Sequence, residues 1–304
     1  MMKPVLAGTE WVLSDSFSAS SFLEQAREFG VTSFNILGGT AKVLSAAYDE
    51  DGARDHGLEL AVGPIGTETW RSFEEHFGVD VVQIYSQTES PTLLMNHPDL
   101  ERVRVGAIGK PMFPDLGHEA RVVDREGNEV AVGEEGELAR TDPGAMLGYY
   151  RMPERTEETL RDGTIHSGDI VRCDEDGYLY YVDRKKFMIR RSGENIAPRE
   201  IEDVIDELAG VEESAVIPVP HDVRGEEVKA MVKLVQGGDV TERDIVDRVA
   251  GALAAYKVPR YVEFVDSFPK TPSERIQRAE LAEREEEREN HGWDREREYL
   301  GWRD

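Results

Sequence analysis

Apolar runs and helix-patterned runs take turns between residues 17 and 90, and that alternation restricts the fold more than any other feature of the chain. Residues 17–30, FSASSFLEQAREFG, place apolar side chains at helical spacing, with Ser18 or Ser20 able to cap and Gly30 to stop the helix. VTSFNILGG follows as a β-rich run ending in glycines. LELAVGPIG reads as a buried strand entering a Gly/Pro loop, TETWRSFEEHFG as a second helix with a glycine stop, and VDVVQIYSQTES as a buried strand ending in polar residues. Strands that are apolar throughout and separated by helices predict a parallel α/β sheet. Ligands of such sheets sit off the carboxyl ends of the strands, so loops 62–67 and 85–90 are the first candidates for a site.

The pattern changes near residue 102. HEARVVDREGNEVAVGEEGELART and TIHSGDIVRCDEDGYLYYVDR are short strands joined by Gly, Asn and Asp turns, which predicts an antiparallel β subdomain over 102–183. From about 184 to 304 helices and strands mix: a helix in APREIEDVIDELAGV with Pro198 near its start, strands EESAVIPVP and EVKAMVKLV, helix TERDIVDRVAGALAAY and strand YVEFVDSF. The expected class is therefore multidomain, α/β over 1–101, antiparallel β over 102–183 and a small α+β domain after that. The tail RAELAEREEEREN is expected to be a charged, solvated helix.

Composition narrows the functional classes. The formal charge is −26, spread along the chain, and an excess of that sign repels nucleic acid and anionic membranes. It is compatible with adaptation to high salt and with an ordinary acidic protein. No apolar run approaches the roughly 18 residues of a membrane span, and the N-terminus is polar too early for a signal peptide. The single cysteine, Cys173, excludes an internal disulfide and fits a reducing cytoplasm.

Four stretches carry chemistry. YSQTES (85–90) ends a strand with an aromatic ring that can stack on a base, a Thr88 hydroxyl suited to a phosphate oxygen, and a Glu89 carboxylate suited to Mg²⁺; equally it is a polar strand end. HSGD (166–169) offers Asp169 after a small-residue turn, as a ribose acceptor or as a turn aspartate. YLYYVDRKKFMIRRSGENIAPREIE (178–202) gathers cations around Gly193, a phosphate-binding arrangement or a solvated face. PKTPSERIQR (269–278) concentrates Lys270, Arg275 and Arg278 on one loop of an acidic chain.

Each stretch alone is weak. In this order and at these separations, YSQTE, HSGD, DRKKFMIRRSGENIAPREIE and PKTPSERIQR together resemble the adenylate-forming superfamily of acyl-CoA synthetases, the AMP-binding enzymes, from about residue 5 onward. The ending TPSERIQRAEL…WDRE looks most like the carnitine/crotonobetaine–CoA ligase-like branch. The resemblance implies a carboxylic acid substrate, ATP with Mg²⁺, and CoA, joined in two steps through an acyl-adenylate while a C-terminal domain rotates between them.

Carried over motif by motif, the resemblance implies that Tyr85 packs on adenine, Thr88 contacts phosphate and Glu89 ligates Mg²⁺. Gly63, Pro64 and Ile65 match the loop that lines the adenine pocket, Asp169 accepts the ribose hydroxyls with Arg184 assisting, and Lys186 falls at the hinge. Ser192 and Gly193 line the CoA channel, and the acyl pocket lies near Gly38 and Gly39. Three departures stand out. Ser86 replaces a glycine. Glu274–Arg275 replaces Gly–Lys, so Arg275 stands where the family places its adenylation lysine, with the same charge on a broader planar head. The Ser/Thr/Gly-rich phosphate loop followed by lysine falls before residue 1 by this alignment, and no stretch of the chain supplies such a cradle. The expectation is thus a C-terminal portion of an acyl-CoA ligase, from a truncated or split gene or a start called late. The alternatives are a non-catalytic AMP/CoA-binding module, one that complements a separately encoded N-terminal fragment, and a degenerate remnant.

Overall fold

The structure, a computed structural model, describes residues 8–49, 52–96, 99, 103–271, 275–286, 288 and 291–300. Its elements form three sheets in chain order. The first is parallel, β1 (Ser33–Asn35), β2 (Leu60–Val62) and β3 (Asp80–Val82), ordered β1–β2–β3. Helices α1 (Ala19–Glu28), α2 (Gly38–Ala47) and α3 (Thr67–Phe77) accompany it, and Leu23, Leu44, Ala61, Trp70, Phe73 and Val81 build a shared core. Ser18 takes the N-cap backbone position of α1, but its hydroxyl makes no capping bond. At the carboxyl end of β2 the chain passes so close to β1 that a Cβ on Gly63 would lie 1.8 Å from the Ile36 carbonyl oxygen. Only glycine fits there, which explains the first position of the loop 63–66.

The second sheet is antiparallel and runs β4 (Ile84–Gln87), β5 (Ser90–Met95), β6 (Ala107–Pro111), β11 (Leu179–Arg184), β10 (Thr164–Cys173), β8 (Glu135–Thr141), β7 (Glu119–Val123), with β9 (Leu160–Arg161) paired to β10. It begins earlier than the change of sequence pattern near 102. The apolar run VDVVQIYSQ looks continuous, yet it leaves the first sheet after Val82 and enters the second at Ile84, with Gln83 between. Helix α4 (Pro153–Thr159) lies on the β8–β9 connection. The pairing of β10 with β8 slips between His166↔Ala139 and Ile170↔Glu137, four steps on one strand against two on the other. The bulge falls on Ser167-Gly168-Asp169, and Gly168 supplies the positive φ of +70° that it needs.

The third sheet is mixed. Its path is β13 (Glu194–Ile196), β12 (Ile189–Arg191), β15 (Gly225–Leu234), β16 (Tyr261–Phe264), β17 (Trp293–Asp294), with β14 (Val211–His221) paired along β15. Successive residues of β14 and β15 face opposite sides. Val216, Val228, Ala230 and Val232 pack against α5 (Pro198–Asp206) and α6 (Glu242–Ala252), whose start is fixed by a capping box between Thr241 and Asp244. Ala215, Ile217 and Met231 pack on the other side with Phe268 and Leu281.

Leu281 belongs to α7 (Arg278–Glu286), and here the expectation of a merely solvated tail is corrected. The helix inserts Leu281 and Glu285 into the domain. Glu285 Oε1 lies 2.7 Å from Nζ of the fully buried Lys229, which also reaches Glu263 Oε2 at 2.5 Å. A charge-rich sequence conceals this, because the single apolar contact and the buried carboxylate sit among exposed charges. A last helix, α8 (Arg295–Leu300), follows β17. Among the described residues no helix is long and apolar enough to cross a membrane.

Candidate nucleotide and lid site

Asp169 is the centre of the candidate site. The β10 bulge turns it into the protein, where it is 1% exposed. Its Oδ2 accepts the Tyr85 hydroxyl and, at 3.1 Å, Gln87 Nε2; its Oδ1 faces Arg184 Nε at 2.7 Å. The Arg184 contact is an ion pair, and Oδ1 accepts no directed hydrogen bond. Burial pushes the Asp169 carboxyl above the usual carboxylate range, against the pull of the Tyr85 hydrogen bond and the Arg184 and Arg140 charges. The same burial, with the Asp169 charge, drives the Tyr85 phenol far up, so its proton stays on. The structure thus brings together Tyr85, Asp169 and Arg184 from three separate strands, and one lone pair of a buried acceptor is left for a hydroxyl donor.

The turn after β4 carries Thr88 and Glu89. Thr88 is exposed, and its hydroxyl makes no hydrogen bond among the described residues. Glu89 Oε1 accepts Tyr149 Oη at 2.6 Å, and that bond holds the carboxyl below its ordinary range, so it is ionised. An ionised, half-buried carboxylate has the donor chemistry that suits a hard cation, which takes its remaining ligands from water and phosphate. The described residues hold no group of three or more His, Cys, Asp or Glu that could bind a metal alone, so such an ion would need those outside ligands.

The loop 63–66 divides. Gly63 sits at the strand edge, with its N–H donating to Val82 O at 3.1 Å, and Pro64 is exposed beside it. Ile65, expected to line a ligand pocket, is instead 4% exposed and packed into the first core with Ile36 and Trp70, so its side chain points inward. The Arg199 guanidinium stands over Gly66, where a Cβ would lie 2.9 Å from it. Gly38 and Gly39 open α2.

Lys186 lies in the turn that joins β11 of the second sheet to β12 of the third, its ammonium 4.8 Å from the Phe187 ring centre. Two contacts flank this turn. Lys185 Nζ binds Glu137 Oε2 at 2.7 Å, and Asp183 Oδ2 accepts the Arg199 backbone N–H at 3.0 Å near the start of α5. Ser192 and Gly193 form the β12–β13 turn with φ of +52° and +92°, both exposed.

The basic loop 269–278 is less free than its sequence suggests. Lys270 Nζ pairs with Glu213 Oε2 at 2.9 Å, and Arg278 forms a two-pronged pair with the buried Glu202. Positions 272–274, including Glu274, lie outside the described residues. Arg275 is exposed; its backbone closes the loop on Thr271, and its guanidinium makes no hydrogen bond or ion pair among the described residues. Two of the loop's three cations thus neutralise carboxylates of their own domain, and Arg275 is the one that projects unpaired among the described residues.

Sequence reasoning missed Gln87, Tyr149 and Arg140. Nothing in the one-dimensional pattern YSQTE says that the Gln87 amide reaches Asp169. Tyr149 and Arg140 are distant in sequence from the residues they touch.

The family model for the AMP-binding enzyme matches residues 1–150, and that for the AMP-binding enzyme C-terminal domain matches residues 200–275. Among curated proteins, a long-chain-fatty-acid–CoA ligase from Yersinia pestis is 40% identical over 75% of this chain and 40% of its own length. A sulfoacetate–CoA ligase from Cupriavidus necator is 32% identical over 91% of this chain and 54% of its own. The chain therefore spans about half the length of the curated relatives it matches. Among solved structures, ATP-bound MatB from Rhodopseudomonas palustris superposes with a TM-score of 0.84 at 30% identity, covering 93% of this chain and 56% of that one. o-Succinylbenzoate CoA synthetase from Bacillus subtilis, in complex with its acyl-adenylate, gives 0.82 at 25% identity, covering 96% and 58%.

Proposed function

The chain belongs to the AMP-binding enzyme family, and on that premise we propose that it carries the nucleotide pocket and the lid of an ATP-dependent acid–thiol ligase. In the first step an acid carboxylate oxygen bonds to the α-phosphorus of ATP and pyrophosphate leaves. In the second the CoA sulfur bonds to the acyl carbon, AMP leaves, and the thiol proton is released. The observation that carries the reading is Asp169: Tyr85 and Gln87 hold one oxygen, and the other, buried and accepting no hydrogen bond, suits a ribose hydroxyl.

In this reading Tyr85 flanks the base, with Gly63 and Pro64 at the opposite edge, and Arg184 steadies Asp169. Thr88 donates to phosphate. Glu89 holds Mg²⁺, which when bound offsets phosphate charge. Lys186 marks the hinge, and Ser192 and Gly193, on an exposed two-residue turn, meet the pantetheine arm of CoA. Arg275, unpaired among the described residues, serves the adenylation step in place of a lysine; its planar head delivers two donors where a lysine delivers a point charge.

The named relatives act on chemically unlike acids, long-chain fatty acid and sulfoacetate among them. The carnitine/crotonobetaine-like ending supports a different acid again, and a panel of acids decides among them. Calorimetry tests the pocket. Wild-type chain binds AMP, and Asp169→Ala weakens it about 30-fold or more, the cost of losing a charged acceptor; unchanged affinity refutes the ribose assignment.

A second reading is favoured by the exposed Leu147, Tyr150 and Met152, which follow the strand bearing Arg140 and surround the Glu89 partner Tyr149. An apolar set beside a site suits a covering polypeptide that supplies the phosphate-binding loop. On this reading the 304 residues bind AMP or CoA but release pyrophosphate only when joined or mixed with such a segment. Pyrophosphate release from the chain alone, with acid, ATP, Mg²⁺ and CoA, overturns it.

A further inference from the structure

We propose that Arg140 is a positioning residue that locks the ribose-binding carboxylate and the metal-binding turn into one rigid unit; the proposal rests on the nucleotide reading above. Arg140 projects from β8 into the second sheet and is 2% exposed. A buried guanidinium is costly unless its surroundings repay it. Burial lowers its proton affinity, while Tyr85, Asp142, Asp169 and Glu89 all pull the other way. The carboxylates of Asp142, Asp169 and Glu89 thus all lie within reach of this one cation.

Its contacts are directional. One Nη2 atom donates to Gln87 Oε1 and to Ser90 O, each at 3.2 Å, and the guanidinium carbon lies 5.1 Å from the centre of the Tyr85 ring. Arginine only donates, so the Gln87 oxygen must face it and the Gln87 nitrogen must face the other way. That nitrogen then donates to Asp169 Oδ2 at 3.1 Å and to Ser167 O at 3.0 Å, both ends of the β10 bulge. The amide has one consistent orientation, set by Arg140. The Ser90 carbonyl is the first after Glu89, so Arg140 Nη2 anchors the end of the Thr88–Glu89 turn as well. Around it Asp142, 5% exposed, accepts Ser90 Oγ at 2.7 Å and the Gly144 N–H at 2.7 Å, with His118 Nδ1 3.4 Å away, which closes the back of the turn. On this proposal Arg140 acts through Gln87 and the turn.

The test compares AMP with its 2′,3′-dideoxy analogue, which lacks the hydroxyls that Asp169 would accept. Calorimetry on the full chain gives the preference for AMP as a ratio of affinities. Wild type prefers AMP; Arg140→Met and Gln87→Met each reduce that preference about tenfold while leaving the dideoxy affinity unchanged, and their double variant loses no more than the worse single one, because both cut the same chain of contacts. Gln87→Met removes a half-buried amide at the end of a strand, so it stays informative if Arg140→Met does not fold, and Arg140→Lys restores folding with a partial preference. Hydrogen exchange of residues 84–95 rises in Arg140→Met and not in Gln87→Met. A wild type with no preference overturns the nucleotide reading and this proposal together. A wild type that prefers AMP, beside variants that keep the preference or lose both nucleotides equally, overturns the proposal alone.

Discussion

Glu202 has 5% of its surface exposed, and its charged partner Arg278 comes from the far end of the lid. Burial pushes the Glu202 carboxyl up, and the Arg278 charge opposes that shift. The pair is a closed bargain in a poor solvent: removing one member leaves the other charged and dry. Arg278→Ala should destabilise the chain by about 3 kcal/mol or more, whereas the double replacement Arg278→Met with Glu202→Met should cost far less; urea unfolding of the two variants measures the difference. In the sequence, Lys270, Arg275 and Arg278 are three equivalent cations within nine residues. Burial alone distinguishes them, and burial depends on Glu213 and Glu202, more than fifty residues upstream. Asp169 was legible for the opposite reason: a small-residue turn before an aspartate is a local signal, and the bulge that it encodes is local too.

Glu137 ties together two separate turns. On β8, it accepts the Gly168 N–H at 3.0 Å under the bulge and Lys185 Nζ at 2.7 Å in the β11–β12 turn. Burial raises its carboxyl, but the Lys185 hydrogen bond and charge outweigh burial and hold it below 4.5. A carboxyl depressed in the fold stabilises above its unfolded pKa and loses that contribution as pH falls through the folded value. Glu137→Gln should therefore cost about 1 kcal/mol at neutral pH, modest because Lys185 is 42% exposed, and the gap should close on acidification below pH 4.5. Thermal melts of both proteins from pH 7 to pH 3.5 provide the comparison, and a gap that is constant with pH refutes the linkage. The helices and strands around this strut were readable from periodicity and from glycine and proline punctuation. The partition of strands among sheets was not, because VDVVQIYSQ has the same apolar texture on both sides of Gln83. The docking of α7 was also hidden, since one leucine and one buried glutamate do not make an apolar stripe.

Across the whole molecule 62 acidic residues face 36 basic ones, and most of the excess is on the surface. Its mutual repulsion acts over a screening length of about 10 Å at 0.1 M salt and about 3 Å at 1 M. Raising KCl across that range should raise the melting temperature, and a flat or falling response would argue that the acidic surface is electrostatically neutral to folding. In the third sheet, strands β14 and β15 pair at nine successive positions, with a tenth beyond a register shift, across only three intervening residues, and β15 then receives β16 on its other side. These pairings are close in sequence, whereas the second sheet must bring β6 against β11 across nearly seventy residues. The β14–β15 hairpin can thus complete long before the second sheet closes, because its partners are neighbours in the chain and those of β6 and β11 are not.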